Sequence, residues 1–276
     1  MAHRPVIGLA LGSGSARGWA HIGVIRALEQ QGIVPDVVSG TSIGALVGAA
    51  LATGHLKVLE QWVRGLKWQD VVALMDFRLT GGGLIGGERL MGFLREGISE
   101  KRIEDCRKPF GAAATNLSTG NEVWLRHGPI LDAVRASIAL PGLFTPVQQE
   151  GRLLVDGGLV NPVPVSLCRA MGADVVIAVD LNTDIMTRHS MPKPGEAHGR
   201  QRKEAEDEGL VDRLSGLLDR LWPSDEAGED ALPSIVEVMA RTVNIMSVRI
   251  SRSRMAGDPP DVLITPRLAR IGLLEF

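Results

Sequence analysis

The order of the motifs in the first 54 residues restricts the fold of this chain more than any other feature. An apolar run at 6–12 (VIGLALG) is followed by a Gly/Ser loop and by an amphipathic helical pattern over 17–32. A second apolar run at 35–40 (PDVVSG) leads directly into a small-residue helical pattern over 42–54. Apolar runs that alternate with helical patterns are typical of buried parallel strands joined by helices. We therefore expect an α/β fold with a mostly parallel sheet covered by helices.

The sequence beyond residue 54 predicts further elements and then a change in composition. A glycine-rich loop with a helix is predicted over 79–98, and a strand pair that turns at 119–121 over 109–128. A helix broken at Pro141 follows over 130–144. A strand that ends in a tight turn is predicted over 152–165, and a last buried strand over 173–181. The stretch 188–209 is polar, charged and rich in helix breakers, which predicts a flexible segment. Two amphipathic stretches follow at 210–222 and 233–250.

Composition and charge argue against several classes of protein. The chain has 30 basic and 32 acidic side chains and a net charge of −2, which gives neither a nucleic-acid footprint nor a polybasic membrane patch. Cys106 and Cys168 lack metal-binding spacing and are expected to be buried free thiols in a reducing compartment. No apolar run approaches the roughly 18 residues of a membrane-spanning helix. Glycines interrupt the N-terminal run too early for a secretory signal. These features predict a cytoplasmic protein that binds no nucleic acid.

The glycine loop after the first strand has three interpretations. Gly12, Gly14 and Gly18 lie between a strand and a helix with nearly the spacing of a dinucleotide-binding loop, and Asp36 lies near the position of a ribose-binding carboxylate. In a dinucleotide-binding unit, however, that carboxylate ends the second strand, whereas Asp36 begins it. Backbone N–H groups at a helix N-terminus hold an oxyanion as well as a phosphate, and Arg17 in the first turn would add positive charge. A tight turn without chemistry is the third interpretation.

The second glycine turn places a serine between a strand and a helix. The frame Gly40-Thr41-Ser42-Ile43-Gly44 is the G-x-S-x-G pattern of a nucleophile elbow. In such an elbow the glycines permit a strained turn, which raises the serine Oγ above the C-terminal edge of the sheet. A serine that only caps the following helix is the alternative interpretation. A serine nucleophile also needs a base.

An aspartate is better placed than any histidine to serve as that base. None of the six histidines lies in a motif-like turn; they are His3, His21, His55, His127, His189 and His198. Asp156 ends a predicted strand, and the following Gly157 and Gly158 allow its backbone to approach a neighbouring loop closely. If burial raises the pKa of this carboxyl toward the working pH, it can accept the serine proton directly. The alternative is an Asp-Gly surface turn, but its apolar flanks argue against one.

Three motifs together resemble the patatin-like phospholipase family, most closely its bacterial RssA-type branch. They are the Gly/Ser loop ending in Ala16-Arg17-Gly18, the serine elbow, and Asp156-Gly157-Gly158. The resemblance extends from about Val6 to Val165. It implies a sheet sandwiched between helices, Ser42 as nucleophile and Asp156 as base. It also implies an oxyanion hole formed by the N–H groups of Gly14 and Ser15, with Arg17 as the basic position after the loop.

The resemblance also implies a domain organisation and a function. We expect a catalytic core over 6–168 and a C-terminal part over 169–276 that completes the sheet and carries a flexible segment (about 184–209) and a helical cap. The expected activity is that of a serine esterase or lipid acyl hydrolase of the phospholipase A or lysophospholipase type, with an acyl-enzyme intermediate and no metal or cofactor. The expected partner is a lipid ester. Segment 210–250 is a candidate for peripheral contact with the inner membrane, for ordinary core packing or for a subunit contact, because it carries an apolar stripe of Leu214, Leu217, Leu218, Leu221 and Trp222.

The loop departs from the family pattern G-G-G-x-[RK]-G at two positions. Ser13 and Ser15 stand where the family usually has glycine. If either serine requires a positive φ, backbone strain is expected. These serines keep open the alternative of a family member that binds lipid or regulates with little turnover. A Ser-His-Asp hydrolase, in which one of the histidines is the base, is a separate alternative to a Ser-Asp hydrolase.

Overall fold

The computed structural model describes residues 4–66, 76, 83–98, 101–183, 235–268 and 271. The strands in these ranges are β1 (Ile7–Leu11), β2 (Val37–Thr41), β3 (Gly83–Ile85), β4 (Phe110–Asn116), β5 (Glu122–Leu125), β6 (Gly142–Phe144), β7 (Val147–Gln149), β8 (Arg152–Asp156), β9 (Val175–Val179) and β10 (Val262–Ile264). The helices are α1 (Ala20–Gln30), α2 (Ile43–Thr53), α3 (Leu56–Gly65), α4 (Glu88–Ile98), α5 (Ile130–Ser137), α6 (Val165–Ala170) and α7 (Ile235–Gly257).

The main sheet is mostly parallel, as the alternating pattern predicted. Its strand order is β10-β9-β1-β2-β4-β8-β7, with β5 also paired to β4. Strands β10, β9, β1, β2 and β4 run parallel to one another, whereas β5, β8 and β7 pair antiparallel. A separate two-stranded sheet joins β3 to β6. The strands β9 and β10, which follow residue 168, extend the sheet beside β1.

Helices cover both faces of the sheet. Leu9 and Leu11 of β1 join the core cluster that contains α2 and α5, whereas Ala10 joins a second cluster with Val165 and Cys168 of α6. Because neighbouring strand residues point to opposite faces, these two clusters lie on opposite sides of the sheet. Such burial on both faces explains why the strands are continuous apolar runs. The predicted α/β class is confirmed.

Helix α2 is buried along its whole length, which explains its small residues. A Cβ on Gly48 would lie 3.1 Å from both Val38 and Phe110, so larger residues would push the helix away from the sheet. All eleven residues of α2 are buried, so it is a helix of the protein core. Among the described ranges, no helix combines the length and apolar character that crossing a bilayer requires.

Several predicted boundaries differ from the structure. The helix expected over 17–32 begins at Ala20, because Ser15–Trp19 forms a 3-10 turn in which the Arg17 N–H donates to Gly14 O (3.1 Å). The helix expected to break at Pro141 ends earlier, at Ser137, and β6 begins at Gly142. The intervening Pro141 restricts the residue before it to extended backbone, which excludes a continuous helix. Cys168 is buried as expected, but Cys106 is only half-buried.

The C-terminal helix α7 packs against the loop that follows β8. Ser247 of α7 is buried and its Oγ donates to Gly158 O at 3.5 Å. Near the other end of the helix, Arg254 Nη2 donates to Glu122 Oε2 at 2.6 Å. The predicted flexible stretch 188–209 and the first amphipathic stretch, 210–222, lie outside the described residues.

Candidate active site

Ser42 lies at a strained turn between β2 and α2. Its φ of 57° and ψ of −127° are rare for a residue with a side chain. The flanking glycines are required by close backbone approach: a Cβ on Gly40 would lie 2.4 Å from Gly44 O, and a Cβ on Gly44 would lie 2.2 Å from Leu11 O. This is the geometry that the G-x-S-x-G pattern predicts, with the serine at the N-terminus of an eleven-residue helix.

Ser42 contacts Asp156 directly. The Ser42 Oγ donates a hydrogen bond to Asp156 Oδ2 at 2.6 Å, and the Gly158 N–H donates to the other carboxylate oxygen, Oδ1, at 2.7 Å. Asp156 is only 3% exposed, whereas Ser42 is half-buried. A Cβ on Gly157 would lie 2.2 Å from Ala113 O, so a glycine is needed after the aspartate.

Strand β4 brings these two residues together. It pairs with β5 through residues 112–115 along one edge. Along its other edge it pairs with β2 through 110–113 and with β8 through 114–116. Thr41 lies opposite Ala113 and Asp156 lies opposite Ala114, so β2 and β8 run toward each other along β4 and their C-terminal ends meet. The residue after β2 and the last residue of β8 therefore meet.

Burial changes the acid–base behaviour of Asp156. Desolvation raises the pKa of its carboxyl to about 6, although the hydrogen bonds from Ser42 and Gly158 favour the ionised form and oppose the rise. At neutral pH the carboxylate is still mostly ionised and can accept a proton. A base whose pKa lies near the working pH is more effective than one with the ordinary pKa of an aspartate.

Ser137 also contacts Ser42. The Ser42 N–H donates to Ser137 Oγ at 2.9 Å, and the Ser137 hydroxyl donates to Ala113 O at 2.6 Å. Sequence reasoning missed this residue, because a single serine inside a helical pattern gives no sign of the distant backbone that it contacts.

The Gly/Ser loop is held from several sides. Its backbone N–H groups at Gly12 and Ser13 donate to Val179 O (3.0 Å) and Pro162 O (2.8 Å). The Asn182 side chain donates to Ser13 O (3.1 Å). The ring of the buried His21 donates from Nε2 to Gly12 O (2.7 Å), which is the direction that a carbonyl acceptor requires. No motif in the sequence indicated that Asn182 contacts this loop.

The two serines of the loop differ in backbone conformation. Ser15 has a φ of 49°, so the expected strain is present at this position, whereas Ser13 is not among the side-chain-bearing residues with positive φ. Between them, Gly14 has an extended φ of 179°. A Cβ on Gly14 would nevertheless lie 2.8 Å from Leu181 Cδ1. Within the described residues, neither the Gly14 nor the Ser15 N–H donates a hydrogen bond.

Arg17 and Gly18 fix the 3-10 turn that follows the loop. Arg17 is buried, and its Nε donates to Ile271 O at 2.6 Å, which links the loop to the C-terminal region. A Cβ on Gly18 would lie 2.1 Å from Ile43 Cγ2, so this glycine lets the turn pack directly on α2 beside Ser42.

None of the described histidines contacts Ser42 or Asp156. Burial lowers the pKa of His21 to about 4, so its ring is neutral at physiological pH. His55 precedes α3, and the exposed His127 lies 3.8 Å from Glu104. His3, His189 and His198 lie outside the described residues.

The dinucleotide interpretation of the loop is wrong about Asp36. Its Oδ2 accepts a hydrogen bond from the Ile7 N–H at the start of β1 (2.9 Å). Because β1 and β2 are parallel, their first residues lie at the edge of the sheet opposite the glycine loop. Asp36 therefore cannot reach a ligand bound at Gly14.

Comparisons with known proteins match the chain to one family model, to several curated relatives and to a solved structure. Residues 9–169 match the family model described as patatin-like phospholipase. An NTE family protein of Mycobacterium tuberculosis is 33% identical over 99% of this chain and 86% of its own length. Lysophospholipase NTE1 of Pyricularia oryzae is 32% identical over 98% of this chain, which spans 17% of that longer protein. The crystal structure of VipD from Legionella pneumophila aligns with a TM-score of 0.48 and 16% identity, over 85% of this chain and 58% of that one.

Proposed function

The chain belongs to the patatin-like phospholipase family, and on that premise we propose that it hydrolyses lipid esters with Ser42 as nucleophile and Asp156 as general base. The observation that carries the proposal is the 2.6 Å hydrogen bond from the strained Ser42 to a carboxylate that is almost fully buried. Relatives named lysophospholipase favour a phospholipid or lysophospholipid as the ester.

The proposed reaction has two displacements. Asp156 accepts the proton of Ser42 Oγ while Oγ attacks the ester carbonyl carbon. The N–H groups of Gly14 and Ser15 donate hydrogen bonds to the carbonyl oxygen and stabilise the negative charge that develops on it. When the tetrahedral intermediate collapses, the alcohol leaves with the proton from Asp156 and the acyl group stays on Ser42. Water then gives a proton to Asp156, attacks the acyl group and releases the fatty acid, and the proton returns to Ser42.

The domain organisation and location are part of the same proposal. Residues 6–168 would form the catalytic core, and 169–276 would complete it through β9, β10 and a cap that includes α7. If the substrate is a lipid ester, the protein would act at a membrane surface. The expected cytoplasmic location places it on the cytoplasmic side of that membrane. Fractionation of cells into cytosol and membranes, followed by immunodetection, tests this location.

Hydrolysis of p-nitrophenyl butyrate and of lysophosphatidylcholine, with circular dichroism as a folding check, tests the function. Ser42→Ala and Asp156→Asn are expected to lower kcat by about a thousandfold or more while staying folded. Ser39→Ala is the matched control, because Ser39 is also buried and its hydroxyl donates to the carbonyl of Pro164 (2.9 Å), away from the dyad. An inactive wild type, or a folded Ser42→Ala variant with the wild-type rate, would contradict the proposal.

The two alternatives give different results in the same assays. A Ser-His-Asp hydrolase predicts that one folded histidine variant is inactive. His21 is unsuitable for that test, because its ring holds the Gly12 carbonyl. A lipid-binding protein with little turnover is favoured by the positive φ of Ser15, and it predicts binding to lysophospholipid micelles without release of fatty acid.

A further inference from the structure

We propose that Ser137 is a positioning residue that holds the Ser42 elbow in its reactive geometry. The inference rests on the proposed function and adds a residue that touches neither substrate nor reacting atoms. Ser137 is the last residue of α5 and is completely buried. Its hydroxyl lies between the Ser42 N–H, 2.9 Å away, and the Ala113 carbonyl, 2.6 Å away.

Each hydrogen bond of Ser137 has only one possible direction. A carbonyl oxygen only accepts, so the hydroxyl hydrogen of Ser137 must point to Ala113 O. A lone pair of the same oxygen is then left for the Ser42 N–H. Because Ser137 is 0% exposed, bulk water does not compete for either bond. Removing the hydroxyl takes a buried hydrogen-bond partner from two backbone groups at once, which is costlier than the loss of an exposed bond.

This position matters because Ser42 has an unfavourable backbone conformation. Its φ of 57° persists only if surrounding contacts hold it. If the turn relaxed, Ser42 Oγ would move away from Asp156 Oδ2. The hydroxyl of Ser137 opposes that relaxation by connecting the Ser42 backbone to Ala113, which lies in β4 beside the partner of Asp156.

The short segment that begins at Ser137 also fixes the proposed base. Two residues later, Ala139 O accepts a hydrogen bond from the Asp156 N–H at 2.9 Å. Residues 137–139 therefore contact the backbone of both Ser42 and Asp156. A shift of this segment would move the nucleophile relative to the base, which predicts an effect on the chemical step rather than on substrate binding.

The test compares wild type with Ser137→Ala, Ser137→Cys and the control Ser39→Ala. Amide hydrogen exchange at Ser42, followed by NMR, measures the contact directly and needs no substrate. We expect exchange about tenfold faster or more in Ser137→Ala, an intermediate rate in Ser137→Cys, whose thiol is a weak donor and acceptor, and the wild-type rate in Ser39→Ala. On p-nitrophenyl butyrate, Ser137→Ala is expected to lower kcat roughly 10- to 100-fold and to change KM less than about twofold.

The outcomes separate this inference from the proposed function. Faster exchange at Ser42 with a loss in kcat alone supports the positioning role. Wild-type exchange at Ser42 in a folded Ser137→Ala variant overturns it, and so does an unchanged kcat in an active enzyme. An inactive wild type would overturn the proposed function, while the exchange rates would still decide whether Ser137 holds the turn. If the alanine variant does not fold, the cysteine variant provides the same comparison.

Discussion

Two serines of the proposed active site, Ser42 and Ser15, have positive φ, and their surroundings differ. Ser42, at 57°, is enclosed by Gly40, Gly44 and the hydroxyl of Ser137. Ser15, at 49°, is the first residue of a 3-10 turn and stands where the family pattern has glycine. Strain at Ser42 aims the hydroxyl at Asp156. Strain at Ser15 has no such benefit, because the proposed role of Ser15 belongs to its backbone N–H, which would hold the oxyanion, and not to its side chain.

Replacing Ser15 by glycine should therefore relieve strain without cost to the site. We expect Ser15→Gly to stabilise the protein by roughly 0.5–1 kcal/mol, since the release of strain is partly offset by the greater entropy of an unfolded glycine. The variant should also be at least as active as wild type. Urea unfolding and hydrolysis of p-nitrophenyl butyrate measure both effects.

Ser13→Gly is the matched control for the Ser15 prediction. Ser13 has no positive φ to relieve, and its Oγ lies 3.3 Å from Asn182 Nδ2. The control should therefore be less stable than wild type. Equal effects of the two glycine substitutions would show that the φ of Ser15 costs nothing.

Asp156 should lower the stability of the fold when it is ionised. Burial raises its pKa to about 6 in the folded protein, compared with about 3.9 in an unfolded chain. Because the folded pKa is the higher one, the stabilising contribution of the neutral form is complete below about pH 4 and is lost as the pH rises through 6. The asparagine side chain of Asp156→Asn is neutral at every pH. We therefore expect the free energy of unfolding of this variant to exceed that of wild type by up to about 3 kcal/mol at pH 8 and to equal it near pH 4. Urea unfolding across this pH range measures the difference.

Asp261→Asn is a control of opposite sign. The pKa of Asp261 is lowered, chiefly by the hydrogen bond from the Val176 N–H, so its carboxylate stabilises the fold at high pH and loses that effect as the pH falls. The asparagine variant should therefore lose stability at pH 8 relative to wild type. Parallel pH dependences of the stability of wild type and Asp156→Asn would contradict the prediction for Asp156.

At the scale of elements, α7 is tied to the site through a small polar network. Arg254 of α7 donates to Glu122 Oε2 (2.6 Å), and Glu122 Oε1 accepts from Asn161 Nδ2 (2.6 Å). The carbonyl of Asn161 in turn accepts from Thr41 Oγ1 (2.8 Å), next to Ser42. The chain of contacts therefore runs from the C-terminal helix to the end of β2.

A double-mutant cycle on Arg254 and Glu122 tests whether this network holds α7 in place. The side chain of Glu122 is 14% exposed and that of Arg254 is 39% exposed, so water screens the pair only partly. We expect Arg254→Ala and Glu122→Ala to couple by about 1 kcal/mol in urea unfolding.

Arg64 and Glu60 provide the control cycle for this prediction. They form an i,i+4 pair on α3 in which the arginine side chain is 76% exposed. This cycle should give about 0.5 kcal/mol or less. Equal coupling in the two cycles would mean that the contact of Arg254 adds nothing beyond an exposed ion pair.

At the scale of the whole molecule, the sequence predicted what depends on local pattern. The parallel sheet, the serine turn, the glycines around it and the position of Asp156 at a strand end all follow from short motifs. Ser137, His21 and Asn182 escaped prediction as partners of the site because their contacts join residues far apart in the chain. The start of α1 was also missed, since helical periodicity does not distinguish a 3-10 turn from the first α-helical turn.

The end-to-end arrangement of β2 and β8 along β4 makes the contact between Ser42 and Asp156 a reporter of correct folding. Ser42 and Asp156 are 114 positions apart in the chain, so their contact closes a long loop and belongs to the slow, non-local part of assembly. Because strand residues alternate between faces, a slip of β8 by one residue would place Val155 opposite Ala114 and turn the Asp156 carboxylate to the other side of the sheet. A misregistered molecule could keep its secondary structure and much of its compactness. If Asp156 is the base as proposed, the hydrolysis recovered after refolding would measure only the molecules in which β8 has paired in its native register.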